Sequence, residues 1–362
     1  MWWSVRLLVS ESTSGWMLRV AVTTSTVCPD RPCVRRLGAP EAPQVSLFPP
    51  PPRTVALTGA TGFIGATVMR RLLSAGFAVR ALYRPAGHPD RRWPNAVTWV
   101  PGCLEDTDSL TRLLTGANEV VHCAGRVRGV DGHEFNQVNV TGLARLVRAA
   151  GRLHPAPRIL SLSSLAAREP QVSPYAASKR LGEQVLAAEA ARLSWVVLRP
   201  PVVYGPGDRE TVPLLRWMAR GIAPLVADEK TRFSMIFAED LAEAVVALLQ
   251  QPAWQGQVFE LHDGRQGGYC WREVIEAVSQ ATGRTVRGFR LPRPLIRSVA
   301  DLNLRTGRAF GYAPMLTPGK VRELSHADWT ADNAVICRQT GWAPRITLLQ
   351  GVRRTLACLA GG

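Results

Sequence analysis

Tyr175 and Lys179, in the run Pro174-Tyr175-Ala176-Ala177-Ser178-Lys179, share one face of a predicted helix. A phenol beside a cation is an acid–base group. An ordinary tyrosine titrates near 10, and bringing it to about 7 takes about 4 kcal/mol. One neighbouring cation moves a pKa by about one to three, so Lys179 alone sits at the top of that range. On its own, Tyr-x-x-x-Lys is common on ordinary helices. Upstream, Ser161-Leu162-Ser163-Ser164 closes a short apolar run. A serine there can polarise a carbonyl or an alcohol, although Ser at a strand end is also ordinary loop chemistry. A third group, Thr58-Gly59-Ala60-Thr61-Gly62-Phe63-Ile64-Gly65, spaces its glycines as G-x-x-G-x-x-G. Gly59 permits a tight turn, Gly62 lets backbone N–H groups approach a pyrophosphate, and Gly65 lets the next helix pack closely.

The elements that must position these residues are legible. Thr54–Thr58 reads as a buried strand, followed by the glycine turn and a helix to about Ala75 that Gly76 ends. Further strands are predicted at Phe77–Tyr83, Val97–Val100, Glu119–Cys123, Arg158–Leu162 and Trp195–Leu198. Helices are predicted at Asp106–Leu114, Asn136–Arg152 and Pro174–Arg192. The alternation predicts an α/β fold, a Rossmann-type doubly wound parallel sheet. Ser161–Ser164 then lies at the carboxyl end of the fifth strand, where ligands bind in such sheets. After Pro200 the pattern loosens. Helices fit Glu210–Arg220, Glu239–Gln250 and Trp271–Thr282, a strand fits Val258–His262, and Pro292, Pro294, Pro314, Pro318 and Pro344 punctuate the rest. Residues 53–204 are therefore expected to form a dinucleotide-binding core. Residues 205–355 are expected to form a smaller, partly helical C-terminal substrate lobe interleaved with the last strands, and 356–362 a tail. Residues 1–52 are proline-rich without a sustained period, which predicts a disordered extension or a start codon assigned too far upstream. A signal peptide fits poorly, because Arg6 and Glu11 bracket only a short apolar run.

The 362 residues are 46% hydrophobic and 20% charged, a globular composition long enough for a full core. No apolar run reaches the length of a membrane span. The net charge is +16, yet only Lys179, Lys230 and Lys320 among the 44 basic residues are lysines. The arginines are scattered without a run of five, which reads as codon bias and excludes a nucleic-acid partner. Seven cysteines at irregular spacing without C-x-x-C, and six histidines without a ligand pattern, exclude a disulfide framework and a metal site. This usage fits the reducing cytoplasm.

Glycine turn, strand-end serine and Tyr/Lys helix occur in order and at matching distances. Together they resemble the extended short-chain dehydrogenase/reductase superfamily, also called the NAD-dependent epimerase/dehydratase family, from about Arg53 to about Thr355. Val121-His122-Cys123-Ala124-Gly125, Asn139-Val140-Thr141-Gly142 and Leu198-Arg199-Pro200-Pro201-Val202-Val203-Tyr204-Gly205-Pro206-Gly207-Asp208 agree with it. The resemblance implies a nicotinamide cofactor and a small-molecule substrate. It makes Tyr175 the acid/base, puts Lys179 on the nicotinamide ribose, and lets the nicotinamide ring add the second positive charge. Ser164 fits the polarising serine better than Ser163, with a one-residue slip left open. The implied cofactor contacts are Gly59, Thr61, Gly62, Phe63, Ile64, Gly65, Arg84, Cys103, Leu104, Ala124, Lys179 and Pro200. Asn139 is implied as structural or cofactor-proximal. Many members pair through helices on one side of the sheet, which admits a homodimer.

Two departures bear on function. Cys103 stands in Gly102-Cys103-Leu104-Glu105-Asp106 where the family carries an Asp that meets adenine, and Cys is a poor acceptor. Pro201-Val202 stands where nucleotide-sugar enzymes often carry Asn, closer to the hydroxysteroid-dehydrogenase and dihydroflavonol-reductase branch. No acid ends the second strand to hold a ribose 2′-OH, and Arg84 is set to meet a 2′-phosphate, which favours NADP over NAD. The expected activity is reduction of a carbonyl, or oxidation of a secondary alcohol. One alternative is a nucleotide-sugar epimerase/dehydratase of the same family, with Arg209, Arg216 and Arg232 on the diphosphate. Another is a non-catalytic NAD(P)-binding sensor or assembly factor, against which the complete Ser, Tyr and Lys set counts.

Overall fold

A computed structural model describes residues 3–12, 15–24, 52–85, 96–226 and 231–360. The chain divides into two units, Met1–Pro52 and Arg53–Gly362. In the first, for which the sequence pattern predicts no regular element, Trp3–Ser12 and Gly15–Thr24 pair as an antiparallel ladder. The rest of the predicted disordered extension, residues 25–51, lies outside the described residues.

The second unit is built on seven parallel strands: β1 (Thr54–Thr58), β2 (Ala78–Tyr83), β3 (Val97–Pro101), β4 (Glu119–His122), β5 (Arg158–Leu162), β6 (Trp195–Arg199) and β7 (Gln257–Glu260). They read as short apolar runs because helices cover both faces of the sheet. Against one face lie α1 (Phe63–Ser74) and a later helix, Ala238–Leu249, through Val68, Met69, Leu72, Leu241 and Val245. Against the other lie α2 (Thr107–Leu114), α3 (Leu143–Gly151) and α4 (Pro174–Glu189), through Leu110, Leu113, Leu146, Val147 and Leu186.

The strand order β3-β2-β1-β4-β5-β6-β7 reverses direction between β1 and β4, which makes the crevice beyond their carboxyl ends the binding position of such a sheet. Two loops meet there at backbone contact. Gly59 has φ +73°, and a Cβ on it would lie 2.6 Å from the amide nitrogen of Ala124. A Cβ on Gly65 would lie 2.0 Å from the Gly59 carbonyl oxygen.

The predicted helix Asn136–Arg152 is instead three pieces. A short helix, Gly132–Asn136, runs into a π-helical turn, Gln137–Gly142, and then into α3. The wide turn brings the Asn139 carbonyl against α4, where a Cβ on Gly182 would sit 2.5 Å from it.

Beyond Arg199 the lobe is held by three small parallel pairs. Val202–Tyr204 pairs with Met235–Phe237, Ile222–Leu225 with Arg287–Arg290, and Arg232–Phe233 with Asp328–Trp329. Its core gathers Tyr204, Phe237, Met218, Val278 and Val352. The 18-residue helix Arg293–Phe310 departs from the proline-punctuated reading. Pro292 caps it and Pro294 lies in its first turn, where a missing N–H removes no helix bond. Residues 356–360, predicted as tail, continue the helix Leu348–Ala360.

Gly182→Ala forces a methyl group into backbone. It is expected to cost about 1–3 kcal/mol, lowering the melting temperature by several degrees, and to depress turnover by moving α4. Calorimetry beside initial rates checks both.

Candidate active site

Ser173 caps α4, its hydroxyl accepting the Ala176 N–H at 3.0 Å, and Pro174 opens the first turn. This fixes Tyr175 one residue into the helix, its ring edge-on to Phe135 with centroids 6.0 Å apart. The Ser164 hydroxyl acts on the Tyr175 phenol and pulls its pKa down. Ser164 is itself oriented by the turn Leu165–Arg168, whose Ala166 N–H it accepts at 3.2 Å. Its neighbour Ser163 donates to Glu183 at 2.5 Å, so the two candidate serines face different partners.

One turn further along α4, Lys179 Nζ donates to the Leu162 carbonyl at 3.2 Å. A Cβ on Gly125 would lie 3.0 Å from that ammonium, so the loop after β4 passes close beside it. Burial pulls the Lys179 pKa down to about 8, against the upward pull of Glu183 and Cys123. Beneath it, burial with the Lys179 charge takes His122 down to about 3, so its ring is neutral against Thr58 Oγ1 at 2.8 Å. Burial pushes the Cys123 thiol up to about 12, which makes it inert.

Asn139 joins these parts. Its Oδ1 accepts the Arg126 N–H at 2.8 Å, while its Nδ2 donates to the Arg126 carbonyl at 3.0 Å and to Ser178 Oγ at 2.9 Å. Ser178 in turn donates to the Tyr175 carbonyl at 2.7 Å.

Sequence reading missed Lys320. It lies on the helix Pro318–Ser325, where Gly319 packs so closely that a Cβ would be 3.1 Å from Ser173 Cβ. Lys320 Nζ bonds Glu323 at 2.9 Å, and Glu323 also accepts the Ser173 hydroxyl. Burial raises the Tyr175 pKa above its ordinary value. The Ser164 hydroxyl and Lys320 pull it down, and Glu323 and Glu210 push it up. For Lys320, burial favours the neutral amine, but Glu323, Tyr175 and Glu210 outweigh it and hold the ammonium above the ordinary lysine value. Lys320 thus pulls on this phenol from outside α4. One signal could have found it: it is one of three lysines among 44 basic residues.

The remaining predicted residues gather along the carboxyl edge of the sheet. Gly62 caps α1 with no side chain bonded to its first turn and no acid within that turn, so open N–H groups and the helix dipole face the crevice. Thr61 is exposed beside it, and Phe63 and Ile64 are half-buried. Ala124 meets Gly59, and the buried Pro200 accepts the Leu165 N–H at 2.9 Å. Cys103 is half-buried, and Leu104 is buried against Gly142. Arg84 is exposed directly after β2, whereas Arg80 is spent on backbone carbonyls, including that of Leu113 at 3.2 Å. A glycine cradle that any Cβ would fill, with an uncapped helix above it, fits a dinucleotide pyrophosphate. No cluster of metal-ligating side chains occurs among the described residues.

Residues 55–261 match the NAD dependent epimerase/dehydratase family. The chain belongs to that family. It is 38% identical to a ceramide reductase of Caulobacter vibrioides over 306 residues, covering 83% of this chain and 93% of that protein. It is 27% identical to a 2-alkyl-3-oxoalkanoate reductase of Stenotrophomonas maltophilia, over 84% of this chain and 99% of that one. The fold superposes with a TM-score of 0.66 on UDP-glucuronic acid 4-epimerase from Bacillus cereus, solved with UDP-glucuronic acid and NAD, at 17% identity over 85% of this chain and 99% of that chain. The chain is accordingly a nicotinamide-dependent enzyme of the extended short-chain dehydrogenase/reductase type.

Lys320→Met removes a positive charge from Tyr175 and leaves Glu323 unpaired beside it. Both changes raise the phenol pKa. The alkaline fall of the reduction rate, and the alkaline rise of the reverse oxidation rate, are both expected to move to higher pH. Paired pH–rate profiles of wild type, Lys320→Met and Lys320→Arg check this, with Arg retaining most of the wild-type position.

Proposed function

We propose that the enzyme reduces a ketone on a large, mainly apolar substrate to a secondary alcohol, with NADPH preferred over NADH. The observation that carries this reading is that the charged side chains acting on Tyr175 are already paired with one another. Lys320 is paired with Glu323, and Glu210 with Arg128 at 2.7 Å. Of the three arginines that a nucleotide-sugar reading would enlist, Arg232 is paired with Glu273 at 3.0 Å, while Arg209 and Arg216 are exposed with no ion pair among the described residues. A diphosphate calls for unpaired cations to bind it, and a neutral ketone does not. The similarity to two reductases named for substrates with alkyl chains supports the same reading.

The nicotinamide, when bound, supplies the hydride that reaches the carbonyl carbon. Ser164 donates a hydrogen bond to the carbonyl oxygen and polarises it. Tyr175, within reach of the same oxygen through Ser164, delivers the proton as negative charge builds there. A phenol held above its ordinary pKa is protonated at neutral pH, which is the form a reduction consumes. Lys179, with a pKa of about 8, is largely protonated at pH 7 and is the residue that would hold the nicotinamide ribose. The preference for NADPH rests on Arg84, exposed beyond β2 where no acid stands to hold a ribose 2′-OH.

The test is net oxidation of NADPH at 340 nm with 3-oxo amides and 3-oxo acids of increasing chain length. Tyr175→Phe is expected to lower kcat by about 10²–10⁴ with little change in cofactor affinity. Arg84→Ala is expected to weaken NADPH about tenfold or more and leave NADH unaffected. Inversion of a UDP-sugar without any change at 340 nm would overturn the reductase reading.

A further inference from the structure

Two helices of the lobe face each other across a cleft of about 220 Å³. Arg293–Phe310 presents Arg293, Ile296 and Arg297 to it, and Pro318–Ser325 presents Pro318, Val321 and Arg322. Each set repeats at three and four residues, so each is one face of its helix. Ile296 and Val321 are buried and pack with Val226 into an apolar floor. Over that floor the lining carries three guanidinium groups and one acid, Asp301. Arg293 and Arg297 have no side-chain partner among the described residues, and Arg322 has one, through its Nε. Like charges on facing walls repel, and an anion between them removes that repulsion while gaining charge-assisted bonds.

The other side of the short helix Pro318–Ser325 meets the catalytic helix. Glu323 accepts the Ser173 hydroxyl, and Lys320 acts on Tyr175. Arg322 spans both sides. It lines the cleft, and its Nε donates at 2.8 Å to the carbonyl of Val172, the residue before the Ser173 cap of α4. We propose that the cleft is an effector site for a small amphipathic anion, a carboxylate or phosphate monoester on a short alkyl chain, coupled to the start of α4 through Arg322. A bare inorganic anion would leave the apolar floor in water, and a neutral alkyl compound would leave the guanidinium groups facing one another. The volume lies below the ~300–1,000 Å³ of pockets that enclose drug-sized ligands, which keeps the chain short. Once bound, the anion holds the Arg322 guanidinium in place, and with it the Val172 carbonyl and the first turn of α4. The site is defined by the two helices and does not depend on which ketone is reduced.

The test is titration calorimetry of the full-length protein with octyl phosphate, octanoate and inorganic phosphate, below micellar concentrations and with neither ketone nor cofactor present. Amide hydrogen exchange over the first turn of α4 is then followed with and without octyl phosphate. Both amphiphiles are expected to compete for one site and to bind about tenfold or more tighter than inorganic phosphate. Arg293→Gln with Arg297→Gln is expected to weaken octyl phosphate about tenfold or more. That variant is expected to keep the wild-type melting temperature, because both side chains are exposed. Saturating octyl phosphate is expected to slow exchange of the Ala176 and Ala177 amides about threefold or more in wild type and to leave it unchanged in Arg322→Gln. Four results would each overturn the proposal: no binding of either amphiphile, inorganic phosphate binding as tightly as octyl phosphate, undiminished binding in the double variant, or exchange in wild type that octyl phosphate does not alter.

Discussion

Glu183 is a carboxylate withdrawn from water in the middle of α4, and the geometry of the site hangs on it. It accepts two bonds from Arg199 at the end of β6, at 2.9 and 2.6 Å, and one from Ser163 at the end of β5. A buried charge without partners costs several kcal/mol, so the helix can settle only where these three donors converge. That position puts Lys179, one turn before Glu183, over the Leu162 carbonyl, and Tyr175, two turns before it, against Ser164. The pair also sets polarity. Glu183 raises the Lys179 pKa against the pull of burial, and it also holds the Arg199 guanidinium in its charged form.

Close backbone contact does the remaining positioning. Gly59, Gly65 and Gly182 sit where any larger residue would overlap main-chain atoms. The Asn139 amide then ties the loop after β4 to α4 through both of its polar atoms. None of these contacts contributes much apolar burial. Their effect is to leave one arrangement of loop, turn and helix, with the dense cores on both faces of the sheet supplying the stability behind it.

The sheet was legible because its signals are local. Each strand is a run of four to six residues, and the glycine turn and the Tyr/Lys spacing are read within a single element. The partition of labour between Ser163 and Ser164 was not legible, since it depends on Glu183 arriving from twenty residues away. Lys320 lies 145 residues beyond Tyr175 and reaches it only through the packing of Pro318–Ser325 on Ser173, so no spacing rule points to it. Its trace in the sequence is compositional: it is one of three lysines among 44 basic residues. The helix Arg293–Phe310 was hidden for a different reason. Prolines at its start are good helix openers, yet in a one-dimensional reading they look like breaks.

The bond between Ser173 and Glu323 joins residues separated by 150 positions. During synthesis, the whole parallel sheet through β7 can assemble before Glu323 and Lys320 have been made. Helix α4 therefore acquires its cap early and the Lys320 charge late. A nascent chain holds the glycine turn and α4 before it holds the Lys320 and Glu323 that act on Tyr175 and Ser173. Truncation before Pro318 would remove at one stroke the carboxylate that holds the Ser173 cap and the ammonium that acts on Tyr175.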